Sequence, residues 1–219
     1  MPELPELTVA LLHAEARKFA DLESLFPEPS LFGVTDGKAV GTYLEHKFKA
    51  YLQGAYAFQA GNSASGIDFP QINVDMKVTS VRQPQSSCPF KSARQKIYGL
   101  GYALLVYVYE KTDDEKSRTS TLKILHTIFI AAERTGDFQM TRGLNEILDK
   151  DGNLDDLIAY MFDKNLPLDS IEAQNIAAEI LTSRPFQGYL TISNALQWRL
   201  QYGRVISVAG QVDGVLRIL

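Results

Sequence analysis

The sequence predicts an α/β fold class: a mixed sheet core flanked by helices, then a mainly helical C-terminal region ending in a winged helix-turn-helix. Three observations carry this. From Ile72 the residues alternate, with Ile72, Val74, Met76 and Val78 apolar and Asn73, Asp75, Lys77 and Thr79 polar, which is the period of a half-buried strand. Residues 102–109 form a nearly continuous apolar run, as expected of a strand covered on both faces. Beyond Gly136 the spacing becomes helical over residues 138–148, 154–162 and 169–181.

Taken in order, residues 6–26 place Leu7, Leu11, Ala14, Lys18, Phe19, Leu22 and Phe26 at roughly helical intervals, so an amphipathic helix ends before Pro27. After a Pro/Gly-rich turn, residues 38–52 set Val40, Leu44, Phe48, Tyr51 and Leu52 on one stripe of a second helix. Residues 54–65 are small and polar, a loop. Gly66 to Pro70 is a short extended piece between turn formers, and the alternating strand follows. Pro89, shortly after Ser87, opens a short helix carrying Lys91, Arg94, Gln95 and Lys96. The charged link 110–118 joins the apolar strand to a second β-rich run, 121–130. In the tail, residues 191–200 read as a helix and residues 204–208 and 211–218 as two short strands about Gly210. This divides the chain into a core, 1–135, and a helical, winged-helix-like region, 136–219.

Composition excludes several classes. A chain of 219 residues with 45% hydrophobic and 22% charged residues is ordinary globular protein. No apolar run is long enough to span a membrane, and the N-terminus lacks the basic and apolar regions of a signal peptide. One cysteine excludes both a disulfide framework and a Cys-based zinc site, so a reducing cytoplasm is the expected location. The net charge of −4 conceals local asymmetry. Residues 76–109 contain no acid but carry Lys77, Arg82, Lys91, Arg94 and Lys96, and residues 180–212 are acid-free with Arg184, Arg199 and Arg204. Residues 133–179 hold eleven acids against four bases. Positive segments of this kind suit a phosphate backbone.

The chemistry converges on the alternating strand. Side chains two apart on a strand project the same way, so Asp75 and Lys77 share a face. Asp68 lies just upstream, at an odd spacing that requires a bend near Pro70 if both acids are to meet. Glu45 flanks the buried stripe of the second helix and admits two readings, a boundary partner of Lys49 or a third carboxylate for the site. Two carboxylates able to hold a hard divalent cation, with an ammonium beside them, are the groups that metal-assisted attack on a phosphodiester needs.

With Glu45, then Gly66-Ile67-Asp68, then Asp75-Met76-Lys77 on a strand leading into a basic helix, the chain resembles the PD-(D/E)xK nuclease superfamily over roughly residues 38–130, and most of all type II restriction endonucleases. Ile67 stands where that motif has proline, and the two acids are closer in sequence than is common. The resemblance implies a restriction-endonuclease-like mixed sheet core. It also implies Mg2+ held by Asp68, Asp75 and Glu45, a lysine, Lys77, that orients the attacking water, and double-stranded DNA as substrate for a homodimer. DNA contacts are expected from Thr79, Gln83, Gln85, Ser87, Lys91 and Arg94, and from Ser193, Asn194, Gln197 and Arg199 in the tail. Two alternatives remain open: a structure-specific repair or recombination nuclease, and a non-catalytic winged-helix regulator. The opening MPELPE also resembles formamidopyrimidine-type DNA glycosylases. That family's four-cysteine zinc finger is impossible here, so Pro2 and Glu3 read as helix-start residues.

Overall fold

The computed structural model describes residues 4–59, 61, 66–87, 90–193 and 199–219. In chain order the elements are α1 (Val9–Glu23), β1 (Pro27–Glu28), α2 (Gly37–Gln53), β2 (Val74–Ser80), β3 (Gln85–Ser87), α3 (Ala93–Tyr98), β4 (Ala103–Asp114) and β5 (Thr119–Ile130). They continue with α4 (Phe138–Leu148), α5 (Leu154–Asp163), α6 (Ser170–Thr182), β6 (Thr191–Ser193), β7 (Arg199–Gln201), α7 (Gly203–Val208) and β8 (Val215–Arg217). The fold is mixed α/β, as expected. Two compact units interleave along the chain, one made of Met1–Ser86, Leu104–Ile130 and Val208–Leu219, the other of Ser87–Ala103 and Ala131–Ser207.

The first unit is built on a sheet of order β1-β5-β4-β2, with β8 also pairing β5. β4 and β5 form a long antiparallel hairpin from Leu104↔Ile130 to Asp114↔Thr119, with a register shift at Val108/Tyr109. The first seven residues of β4 are all buried, which is what its unbroken apolar sequence requires. α1 packs on β5 and α2 on β2. Thr8 caps α1 by accepting from the Leu11 N–H, and Asp36 caps α2 by accepting from the Lys38 N–H. The helices and sheet meet in an aromatic cluster. Phe19 and Phe48 lie 4.9 Å apart between ring centroids, Phe48 and Tyr107 5.6 Å, and Phe48 and Phe69 6.2 Å. Tyr107 is fully buried and donates its hydroxyl to the Ala16 carbonyl.

The second unit is mainly helical. Ala93 and Ile97 of α3, Met140 and Leu144 of α4, Leu157 and Met161 of α5, and Ile176 and Ile180 of α6 share one apolar core. Asn153 and Asp156 close a capping box at the start of α5. Buried Asp137 caps α4 through the Met140 N–H and accepts from the Ile192 N–H with its other oxygen, tying the helix to β6.

The tail departs from the sequence expectation. Residues 191–193 and 199–201 are antiparallel strands, with Thr191 opposite Gln201 and Ser193 opposite Arg199, where a recognition helix was expected. Residues 204–208 are helical, not extended, and β8 pairs with Ile128, Phe129 and Ile130 of β5 instead of forming a wing. The described residues contain no winged helix-turn-helix; Asn194 and Gln197 lie outside them, as do Pro2 and Glu3, and α1 begins only at Val9. Among the described residues no helix is long and apolar enough to cross a membrane.

Candidate active site

Five charged side chains of the first unit gather at the edge of β2. The stripe Leu44, Phe48 and Leu52 buries α2 against the sheet, and Glu45 and Lys49, one position further on, flank that stripe and reach β2 from its side. The parity problem between Asp68 and Asp75 is solved by a tight reversal. A single 3-10 turn at Pro70–Ile72 ends on Asn73, whose φ of 55° is left-handed, and Phe69 then pairs antiparallel with Val74 through hydrogen bonds of 2.9 and 3.2 Å. Asp68 is thereby folded back over β2 beside Asp75.

β2 consequently has no solvent face. Asp75 and Thr79 are buried and Val78 only half-buried, whereas the alternation alone put Val78 inside and the two polar residues outside. One oxygen of Asp68 accepts from the Met76 N–H at 2.8 Å, and the other lies 2.6 Å from Lys49 Nζ. The same ammonium is 2.7 Å from Glu45 Oε1. Lys77 Nζ stands 2.5 Å from Asp75 Oδ2, yet this buried oxygen has no aligned hydrogen-bond donor among the described residues.

The two neighbouring carboxyls are shifted in opposite directions. Burial pushes Asp75 up to about 7, reinforced by the neighbouring Asp68 and only partly offset by Lys77. Burial also acts to raise Asp68, but hydrogen bonds from the Asp75 carboxyl, Lys49 and the Met76 N–H together hold it below the usual carboxylate range. Lys49 loses solvent too, and its bonds to Asp68 and Glu45 more than restore it, leaving its ammonium harder to deprotonate than usual. A buried carboxylate, Asp75, beside a half-buried one, Asp68, with one oxygen lacking an aligned donor, fits a Mg2+ ion, which binds through one or two carboxylates and completes its shell with water and phosphate oxygens. No three acid, His or Cys side chains converge as a metal-holding group among the described residues, and Glu45 reaches the pair only through Lys49.

The other expected residues are more dispersed. The Thr79 hydroxyl closes the turn after β2, accepting from the Gln85 N–H at 2.9 Å and lying 3.0 Å from the Gln85 carbonyl. Gln83 and Ser87 are exposed, and Gln85 is half-buried. In the second unit Lys91 is exposed and precedes α3, which starts at Ala93, Pro89 lying outside the described residues, while Arg94 is paired with Glu179 and stacked on Tyr98. Ser193 and Arg199 are half-buried partners across the β6–β7 ladder.

Two groups are not evident from the sequence. Lys49 is visible there only as a helical i+4 partner of Glu45. In the second unit, Arg142, Lys150, Lys164 and Arg204 line a cavity of about 510 Å3, with the Arg204 guanidinium 3.6 Å above the Phe138 ring and Arg142 paired to Glu146. Three of these four cations lie in the acid-rich stretch, where a count along the chain hides them.

Two facing carboxylates with a lysine two residues along the same strand, at the edge of an α/β sheet, form the candidate site. The class of enzyme is given by comparison with known proteins. The family model "Type II restriction enzyme NspV" matches residues 6–217. The type II restriction enzyme NspV of Nostoc sp. is 66% identical over 212 residues, covering 97% of this chain and 96% of that protein. The chain belongs to the NspV family of type II restriction enzymes, and is a hydrolase of the site-specific endonuclease class. No solved structure matches it.

Proposed function

We propose that this protein is a Mg2+-dependent restriction endonuclease that hydrolyses phosphodiester bonds of double-stranded DNA at a specific sequence, acting as a homodimer. The observation that carries the reading is the facing pair Asp68 and Asp75 with Lys77 beside it. Asp68 and Asp75 would hold the ion, with Glu45 as an additional ligand. When bound, Mg2+ lowers the pKa of a water and stabilises the charge that develops on the phosphoryl oxygens. The Met76 N–H fixes the Asp68 carboxylate. Lys77, on the face of Asp75, orients the attacking water and offers positive charge to the scissile phosphate. The burial of Asp75 and the half-burial of Asp68 limit bulk solvent and strengthen each of these interactions.

Residues 1–135 would supply the catalytic core and residues 136–219 the surface for DNA recognition or dimerisation. DNA contacts are assigned to Thr79, Gln83, Gln85, Ser87, Lys91, Arg94, Ser193, Asn194, Gln197 and Arg199. Two strands cut within a two-fold symmetric site call for two copies related by the same symmetry. Family membership favours sequence specificity over the structure-specific and regulatory alternatives. Digestion of a large plasmid with Mg2+ is expected to give discrete fragments and none with chelator. A smear, or nicking confined to branched substrates, contradicts the specificity; cleavage undiminished by chelator contradicts the metal.

A further inference from the structure

We propose that Lys49 is an internal counter-cation of the active site: its ammonium bridges Glu45 and Asp68 in the metal-free protein and has to leave them before a divalent ion can bind both. The inference rests on the reading of Asp68 and Asp75 as the metal-holding pair.

Three carboxylates on adjacent elements repel one another unless something positive lies between them. Lys77 attends to Asp75, 2.5 Å from its Oδ2. Lys49 supplies the remainder, at 2.7 Å from Glu45 and 2.6 Å from Asp68, with only 13% of its side chain exposed. Its position is fixed by the sequence. Four residues after Glu45 on α2 puts the ammonium above that acid, and the reversal at Pro70–Ile72 brings Asp68 under it.

The oxygens involved make the arrangement competitive. Asp68 Oδ2 is held by the Met76 N–H, a backbone donor that cannot swing away. Asp68 Oδ1, the oxygen not held by the backbone, is the one that Lys49 touches, and Glu45 Oε1 is its other partner. An ammonium and a divalent ion therefore call on the same two oxygens. The four-carbon stem of lysine allows the exchange, since a modest rotation carries the charge outward without moving α2. Lys49 thus keeps the acids assembled before the metal arrives and weakens metal binding by the strength of the contacts that must be broken.

The test is calorimetric titration of the full-length protein with Ca2+ alone, comparing wild type with Lys49→Met and Lys49→Gln, together with thermal melts in chelator. Both variants should bind Ca2+ roughly tenfold more tightly than wild type, the change expected when a paired ammonium no longer competes. Both should melt below wild type in chelator, and the gap should narrow at saturating Ca2+. If Lys49→Met fails to fold by circular dichroism, Lys49→Gln, which keeps length and polarity, decides. Wild type binding Ca2+ with both variants equal or weaker would overturn the counter-cation role and leave the metal pair standing. No binding by any of the three, to Ca2+ or to Mg2+, would remove both.

Discussion

Two buried carboxylates in the first unit are treated in opposite ways. Glu15 on α1 accepts from Lys18, Tyr51 and Tyr56, and these bonds, Lys18 first, hold it below the ordinary glutamate range and fasten α1 to α2 and the segment that follows. A carboxyl whose pKa falls on folding stabilises the protein above its unfolded value and loses that contribution as pH drops through the folded one. Glu15→Gln should therefore cost about 1–3 kcal/mol in urea melts near neutrality, and the deficit should shrink below about pH 4. Asp75 is the reverse case. Its folded pKa, raised by burial to about 7, lies above its unfolded value, so the metal-free protein takes up a proton there that the unfolded chain releases. Its contribution is full in acid and is lost as pH rises through about 7. In chelator at pH 8, Asp75→Asn should melt at a higher temperature than wild type, with the difference fading at pH 5. Wild type melting equally well at both pH values relative to the variant would mean that Asp75 is ionised without cost. Of these acids the sequence exposed the Asp75–Lys77 pair, because strand periodicity alone sets it. The binding of Asp68 by a backbone N–H depends on a fold-back that no local pattern displays.

At the level of elements, the reversal between Phe69 and Val74 is what turns two carboxylates of opposite parity into a site. The sequence required a bend near Pro70; the structure supplies a 3-10 turn and a left-handed Asn73. Asn73→Gly should be tolerated, since glycine adopts this conformation freely, whereas Asn73→Val should cost about 1–2 kcal/mol and re-aim Asp68, lowering cleavage more than stability. Thermal melts and cleavage rates on the same preparations separate the two effects. α1, α2, β2, β4 and β5 were legible because their apolar spacing is strong. The tail was not. Residues 204–208 are rich in β-branched side chains but follow Tyr202 and Gly203 into a helical turn, and residues 215–217, extended as expected, take the distant end of β5 as partner and not a neighbouring strand.

For the whole molecule, the electrostatics reside in surfaces and not in totals. The net charge of −4 would repel DNA as a point, but phosphate contacts depend on local cations. Lys150 and Lys164 stand at the same cavity although they lie in the most acidic part of the sequence, and Arg204 joins them from an acid-free one. Lys150→Ala combined with Lys164→Ala should weaken DNA binding uniformly across sequences and reduce the salt slope by about 2, roughly one unit for each phosphate no longer neutralised. An unchanged slope would assign the cavity to the fold alone.

Asp75 and Lys77 are the residues to which the hydrolysis itself is assigned. The most direct test is cleavage of a plasmid bearing the recognition site by Asp75→Asn and Lys77→Ala in Mg2+, alongside gel-shift binding of the same DNA in Ca2+. Both variants are expected to lose at least about 100-fold in cleavage rate while binding DNA within a few-fold of wild type, because the missing groups act on the transition state and not on recognition. Wild-type cleavage by either folded variant would contradict the assignment.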